Sequence, residues 1–200
     1  MTEKLAIHLE GLTRRMGNQL VLRGVDLEVA PGRLVVLRGG NGAGKTTLLK
    51  VLATRLRPTG GRARLFGFDV LKDQADVRRR MGMLSVMGGS YPVLSARENL
   101  QMAADLSGKA REQVEPLLQV VCLTDAADKY VRTFSSGMKK RLGLARLMLI
   151  DPDLWLLDEP YAALDDAGKQ LVDEVVIGAR GRTETRRRAA TARRPAPAGT

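Results

Sequence analysis

Within nine residues, Gly39-Gly40-Asn41-Gly42-Ala43-Gly44-Lys45-Thr46-Thr47 supplies four glycines, one ammonium and two hydroxyls. Glycines let a backbone turn close around an anion, so that successive N–H groups and the amino end of a following helix face it. Lys45 is then spaced to reach the beta and gamma oxygens of a nucleotide, and the Thr46 hydroxyl to meet Mg2+. The spacing is GxxxxGK[ST], and its surroundings suit it. An apolar run at 34–37 precedes it, and the helical pattern LLKVLATRL follows until Pro58 and Gly60-Gly61. A chance glycine turn ahead of a helix would require neither the lysine nor the threonine.

A second stretch with chemistry in it begins at Leu154-Trp155-Leu156-Leu157, which runs into Asp158-Glu159-Pro160. A carboxylate at the end of a buried strand can hold Mg2+ directly or through water, and Glu159 beside it can polarise an attacking water. Phosphoryl transfer needs a metal holder and a water-positioning group next to the phosphate cradle. Lys45 and Glu159 are therefore the candidate catalytic residues, and Thr46 and Asp158 the candidate Mg2+ ligands.

The elements that must position these groups follow from hydrophobic patterning. Strands are expected at 6–9, 20–22 and 25–29, with a turn at Pro31-Gly32. The continuous apolar run 34–37 suits a strand buried on both faces. Further strands are expected at 62–66, 81–84 and 154–157. Residues 97–123 read as mainly helical, interrupted by Pro116. Helices are also expected at 139–149, ending at Asp151-Pro152, and at 165–178. The alternation of strands and helices predicts an α/β domain over 1–183. Its expected parts are a parallel core sheet, an antiparallel N-terminal β-subdomain and an inserted helical subdomain at about 87–150.

Composition narrows the classes. A 44% hydrophobic content supports a packed core in 200 residues, and one cysteine with one histidine excludes structural zinc and c-type haem attachment. Cys122 reads as a small buried apolar residue. No run approaches the roughly 18 to 20 apolar residues of a membrane span. The longest uncharged stretch, 83–96, contains two glycines and a proline, and Glu3 and Glu10 make the N-terminus a poor secretory signal. The expectation is an intracellular domain. Of the +11 net charge, +5 lies in residues 181–200, where six arginines meet one glutamate. Residues 184–200 contain no large apolar side chain and are expected to form a disordered basic tail. The modest charge of the body gives no reason to expect direct nucleic-acid contact.

Between the two phosphate-chemistry motifs lies Phe134-Ser135-Ser136-Gly137-Met138-Lys139-Lys140-Arg141. This segment resembles LSGGQ, the signature of ATP-binding cassette (ABC) ATPases, whose aspartate loop falls at Ala163-Leu164-Asp165. With Gly39 to Thr47 as Walker A and Leu154 to Pro160 as Walker B, the chain resembles the ATP-binding subunit of an ABC transporter over about residues 4–183. "LATRLRPTGG", "ARENL" and "SSGMKKR" are most similar to subunits of the haem-exporter and cytochrome c biogenesis type. The resemblance implies the P-loop NTPase fold, ATP and Mg2+ as ligands, and a cytoplasmic position on the membrane face. Its implied partners are a transmembrane permease and a second nucleotide-binding subunit in a head-to-tail dimer. In that dimer Ser135, Ser136 and Gly137 would cap the partner's ATP, Asp165 would connect the sites, and Met16 would stack on adenine.

Three departures bear on activity. Met16 stands where the family has an aromatic residue, and Val86 where it has glutamine. After Thr183, where the family has a buried strand ending in a switch histidine, this chain has Glu184-Thr185-Arg186-Arg187-Arg188. One core strand is therefore expected to be missing, as a frameshift in a GC-rich gene would cause. The readings left open are an exporter-type ATPase subunit with hydrolysis impaired, a catalytically inactive regulatory subunit and, on basic charge alone, a nucleic-acid-associated cassette ATPase.

Overall fold

The computed structural model describes residues 5–85 and 89–192, with side-chain surroundings described through 179. Strands β1 (Ile7–Met16) and β2 (Gln19–Val29) form one antiparallel hairpin across the Gly17-Asn18 turn. The two short strands expected at 20–22 and 25–29 are thus a single ladder. Its alternating side chains put Leu9, Leu12 and Leu22 into the core. Strands β3 (Gly60–Leu65) and β4 (Phe68–Asp69) complete a four-stranded sheet in the order β2-β1-β3-β4.

Helix α1 (Lys45–Leu52) packs Leu48, Leu49, Val51 and Leu52 against this sheet. Helix α2 (Gln74–Arg80), which patterning did not anticipate, leads into β5 (Met81–Leu84). β5 pairs in parallel with β6 (Leu154–Leu157), and the Asp158 N–H extends the pairing to the Leu84 carbonyl at 2.9 Å.

Helices α3 (Ala96–Ser107), α4 (Val114–Val120) and α5 (Ser136–Ile150) enclose a second core containing Leu100, Leu118, Leu142 and Leu149. α3 starts at a capping box in which Ser95 and Glu98 satisfy each other's backbone N–H. Pro116 falls in the first turn of α4, where a missing N–H costs nothing. Cys122, expected to be buried, is exposed: it occupies the left-handed turn that closes α4, at φ 54°, and projects outward.

One further expectation fails for a physical reason. The run 34–37 joins no sheet among the described residues; Leu34, Val35 and Val36 are 59%, 45% and 67% exposed. An apolar run becomes a buried strand only beside a strand with which to share hydrogen bonds, and among the described residues parallel pairing is confined to β5 and β6. The parallel core sheet is therefore smaller than expected. The last helix, α6 (Asp166–Ala192), passes residue 184, where a disordered tail was expected to begin. Residues 182–194 contain neither glycine nor proline and are rich in alanine and arginine, both strong helix formers. Residues 193–200 of the expected tail, and Val86, lie outside the described residues.

Candidate functional site

The 39–47 loop is built by its backbone. Gly44 precedes α1 at φ 87°, and a Cβ there would sit 3.0 Å from both the Val21 carbonyl oxygen and Leu22 Cδ2. Only glycine allows both the left-handed turn and this close approach to β2. Lys45 opens α1, and its ammonium donates to the Gly39 and Gly40 carbonyls at 2.6 and 2.8 Å. The lysine thus lies across the loop that it closes, near the N–H groups at the helix start.

Thr46 Oγ1 donates to Asp158 Oδ1 at 2.8 Å. This contact joins the two motifs. Asp158 is 4% exposed, at the end of β6, so its carboxylate is removed from water except toward the loop. A hydroxyl and a carboxylate in hydrogen-bond contact are hard oxygen donors of the kind that hold Mg2+ together with phosphate oxygens and water. Among the described residues no group of three His, Cys, Asp or Glu side chains could form an all-protein metal cage. The donor set therefore fits a metal that arrives with its nucleotide.

Glu159 is exposed and adopts φ 48°, an uncommon backbone state for a side chain other than glycine. Its carbonyl accepts from the ammonium of Lys140, which is buried in α5. Burial pushes the Lys140 pKa down, and the Glu159 and Asp158 carboxylates oppose that shift. Motif reading passed over Lys140, although it shares the i, i+4, i+7 spacing of the buried Leu144 and Leu147. A lysine on an apolar helix stripe needs a partner.

The signature segment caps α5. Ser135 Oγ accepts from the Met138 N–H at 3.2 Å, and Ser136 is the first helical residue. Gly137 lies against the next motif: a Cβ on it would be 2.8 Å from the Ala163 carbonyl oxygen. Arg141 reaches Asp165 at 2.8 Å, and Asp165 accepts the Gly168 N–H at 2.9 Å at the start of α6. That N–H, and then Arg141, hold the Asp165 carboxyl below its usual pKa. Among the described residues, none of Ser135, Ser136 and Gly137 hydrogen-bonds the 39–47 loop.

Met16, expected at the adenine, is 51% exposed at the end of β1. The nearby cleft of about 350 Å³ is lined by Gln19, Leu20, Arg23, Gly42 and Ala43, with Met16 outside its walls. A larger cleft of about 900 Å³ is lined by the turn after α1 and by residues of α2, β5, α3 and α5. Arg55, Arg78, Arg79, Lys109 and Arg146 stand on its walls. These cations are scattered along the chain, so no motif announced them. No helix among the described residues is long and apolar enough to cross a membrane.

Residues 22–162 match the family model described as ABC transporter. The chain is 39% identical over 168 residues to the daunorubicin resistance ATP-binding protein DrrA3 of Streptomyces coeruleorubidus, covering 82% of this chain and 53% of that protein. It is 42% identical over 168 residues to the cytochrome c biogenesis ATP-binding export protein CcmA of Bordetella bronchiseptica, covering 83% and 73% respectively. A solved ATP-binding subunit of an ABC transporter superposes with a TM-score of 0.80 at 26% identity, covering 88% of this chain and 75% of that one. The chain spans about half the length of the drug-resistance relatives. Similarity extends across drug-resistance and cytochrome c biogenesis proteins alike, so it reaches the family and not one branch of it.

Proposed function

The chain belongs to the ABC transporter family, and on that premise we propose that it is an ATP-binding subunit that hydrolyses Mg-ATP to drive a partner permease. The observation that carries this reading is the 2.8 Å bond between Thr46 and Asp158, which gathers both phosphate-chemistry motifs at the start of α1. In the proposed reaction the 39–47 N–H groups and Lys45 hold the phosphates. Thr46 and Asp158 hold Mg2+, which when bound neutralises charge on the phosphate oxygens. Glu159 orients the attacking water, its backbone pinned by Lys140.

Ser135, Ser136 and Gly137 have no bond to the loop of their own chain, which supports their use on ATP held by a second subunit in a head-to-tail dimer. The basic cleft lined by the turn after α1, by α2 and by α5 is the surface we assign to the permease at the cytoplasmic face of the membrane. Export is the direction favoured by relatives described as resistance and export proteins. The haem-export reading rests on the cytochrome c biogenesis relative, and drug export draws similar support; the permease would select between such cargoes.

A second reading, a subunit impaired in hydrolysis, is favoured by the exposed, unpaired run 34–36 leading directly into the phosphate loop. A loop entered from an unanchored segment holds its donors less firmly, and catalysis depends on donors fixed in advance. Turnover by the full chain, alone and with permease, separates the readings. Hydrolysis abolished by Glu159→Gln supports the first. For the second, replacing 184–200 with an apolar strand ending in histidine should raise turnover by about 10- to 100-fold, on about 1.5 to 3 kcal/mol for the one restored contact.

A further inference from the structure

The cleft of about 350 Å³ opens directly off the phosphate loop, since Gly42 and Ala43 form part of its wall. The rest of the wall is β2. Across the hairpin Arg14 pairs with Leu22 and Arg15 with Leu20, so Val21 is the extra residue of a β-bulge. The bulge lies against the start of α1, where a Cβ on Gly44 would meet the Val21 carbonyl oxygen at 3.0 Å. Loop and strand wall are thus fixed relative to each other, and the cleft lies within reach of the base of a nucleotide whose phosphates rest on the loop.

Among the described residues the walls carry no aromatic ring on which a base could stack. Two polar side chains stand there instead. Arg23 gives one donor, its Nε, to the Leu20 carbonyl at 3.3 Å. That bond tethers the guanidinium to its own strand, and its two terminal nitrogens have no hydrogen bond or ion pair among the described residues. The side-chain amide of Gln19 has no partner among them either.

We propose that this cleft reads the edge of a purine base, with Arg23 as the residue that admits guanine, so that the chain takes Mg-GTP as well as Mg-ATP. The inference rests on the reading of 39–47 as a triphosphate site and extends its substrate class. Two N–H groups of a guanidinium match the adjacent O6 and N7 acceptors of guanine, while an amide, with a donor and an acceptor, matches N6 and N7 of adenine. Guanine O6 would be left unpaired, at a cost, in a site offering only an acceptor at that point. Here it meets donors. A pyrimidine lacks N7 and cannot make either two-point contact.

Titration calorimetry of the full 200-residue chain with Mg-ATP, Mg-GTP, Mg-CTP and Mg-tripolyphosphate tests the assignment. ATP and GTP should bind within about tenfold of each other, and both more tightly than CTP or tripolyphosphate. Arg23→Ala should lower the affinity for GTP relative to ATP by about tenfold, and Gln19→Ala should move the same ratio the other way. Each is a ratio within one protein, so a loss of folded chain cancels. Equal weakening of GTP, ATP and tripolyphosphate by Arg23→Ala would reduce the residue to a general positive charge and overturns the proposal. GTP binding to the parent more than about tenfold weaker than ATP, or CTP binding as tightly as GTP, does the same. Purines that bind no more tightly than tripolyphosphate overturn it while leaving the phosphate site standing. Failure of tripolyphosphate and both purine nucleotides to bind removes the phosphate site, and this inference with it.

Discussion

Lys140, in the helix that follows the signature segment, donates its ammonium to the backbone carbonyl of Glu159. One buried cation thereby ties α5 to the left-handed turn that presents the proposed water-orienting carboxylate. Replacing it by methionine keeps the packing and removes the tie. Lys140→Met should lower hydrolysis more than nucleotide affinity, measured as kcat against Kd for ATP.

The same residue has a pH signature. Because burial lowers the Lys140 pKa below its ordinary 10.5, the unfolded chain binds more protons than the folded one between the two values. Stability contributed by this group therefore rises with pH across that window. The parent should gain stability relative to Lys140→Met as pH approaches 10.5 from below, read as the difference between their thermal midpoints.

Lys45→Ala should weaken Mg-ATP binding by about 10- to 100-fold, the loss of one hydrogen bond to a charged group. Among the described residues its side chain bonds only loop carbonyls, so the fold should persist. Calorimetric titration checks the affinity, and circular dichroism checks the fold. Equal affinities would remove Lys45 from the phosphate site.

Gly137→Ala should destabilise the chain by about 1 to 3 kcal/mol, the usual range for forcing an extra methyl into a packed site. The Ala163 carbonyl lies 2.8 Å from the new Cβ, and a backbone atom cannot swing aside as a flexible side chain can. Urea midpoints measure the loss. ATP affinity of the isolated chain should be nearly unchanged, since Gly137 does not bond the phosphate loop.

Asp165→Ala removes the cap of α6 and the partner of Arg141. The Asp165 pKa is lowered in the folded chain, so its stabilisation is present above 3.8 and lost as pH falls through the lower folded value. The mutant should melt below the parent at neutral pH, and the gap should close in acid.

Local pattern determined much of this molecule. Gly39 to Thr47, the apolar run into Asp158-Glu159 and the Ser135-Ser136 start of α5 were legible because loop, strand end and helix cap are written in adjacent residues. The joining of Thr46 to Asp158, 112 residues apart, was expected from chemistry and required the fold to bring it about. The five cations of the large cleft were not legible, because their grouping arises from elements that approach in space and share no spacing in the chain; Lys140 lies on a readable helix stripe, but its bond to the Glu159 carbonyl required the fold. The run 34–37 marks the limit most clearly. Its side chains call for a buried parallel strand, but burial belongs to the sheet and not to the strand, and here the neighbour that would complete the ladder is absent among the described residues. Residues 184–192 lack large apolar side chains and so carry no core signal, while their helix propensity, sufficient for backbone hydrogen bonds within one segment, carries α6 through to Ala192.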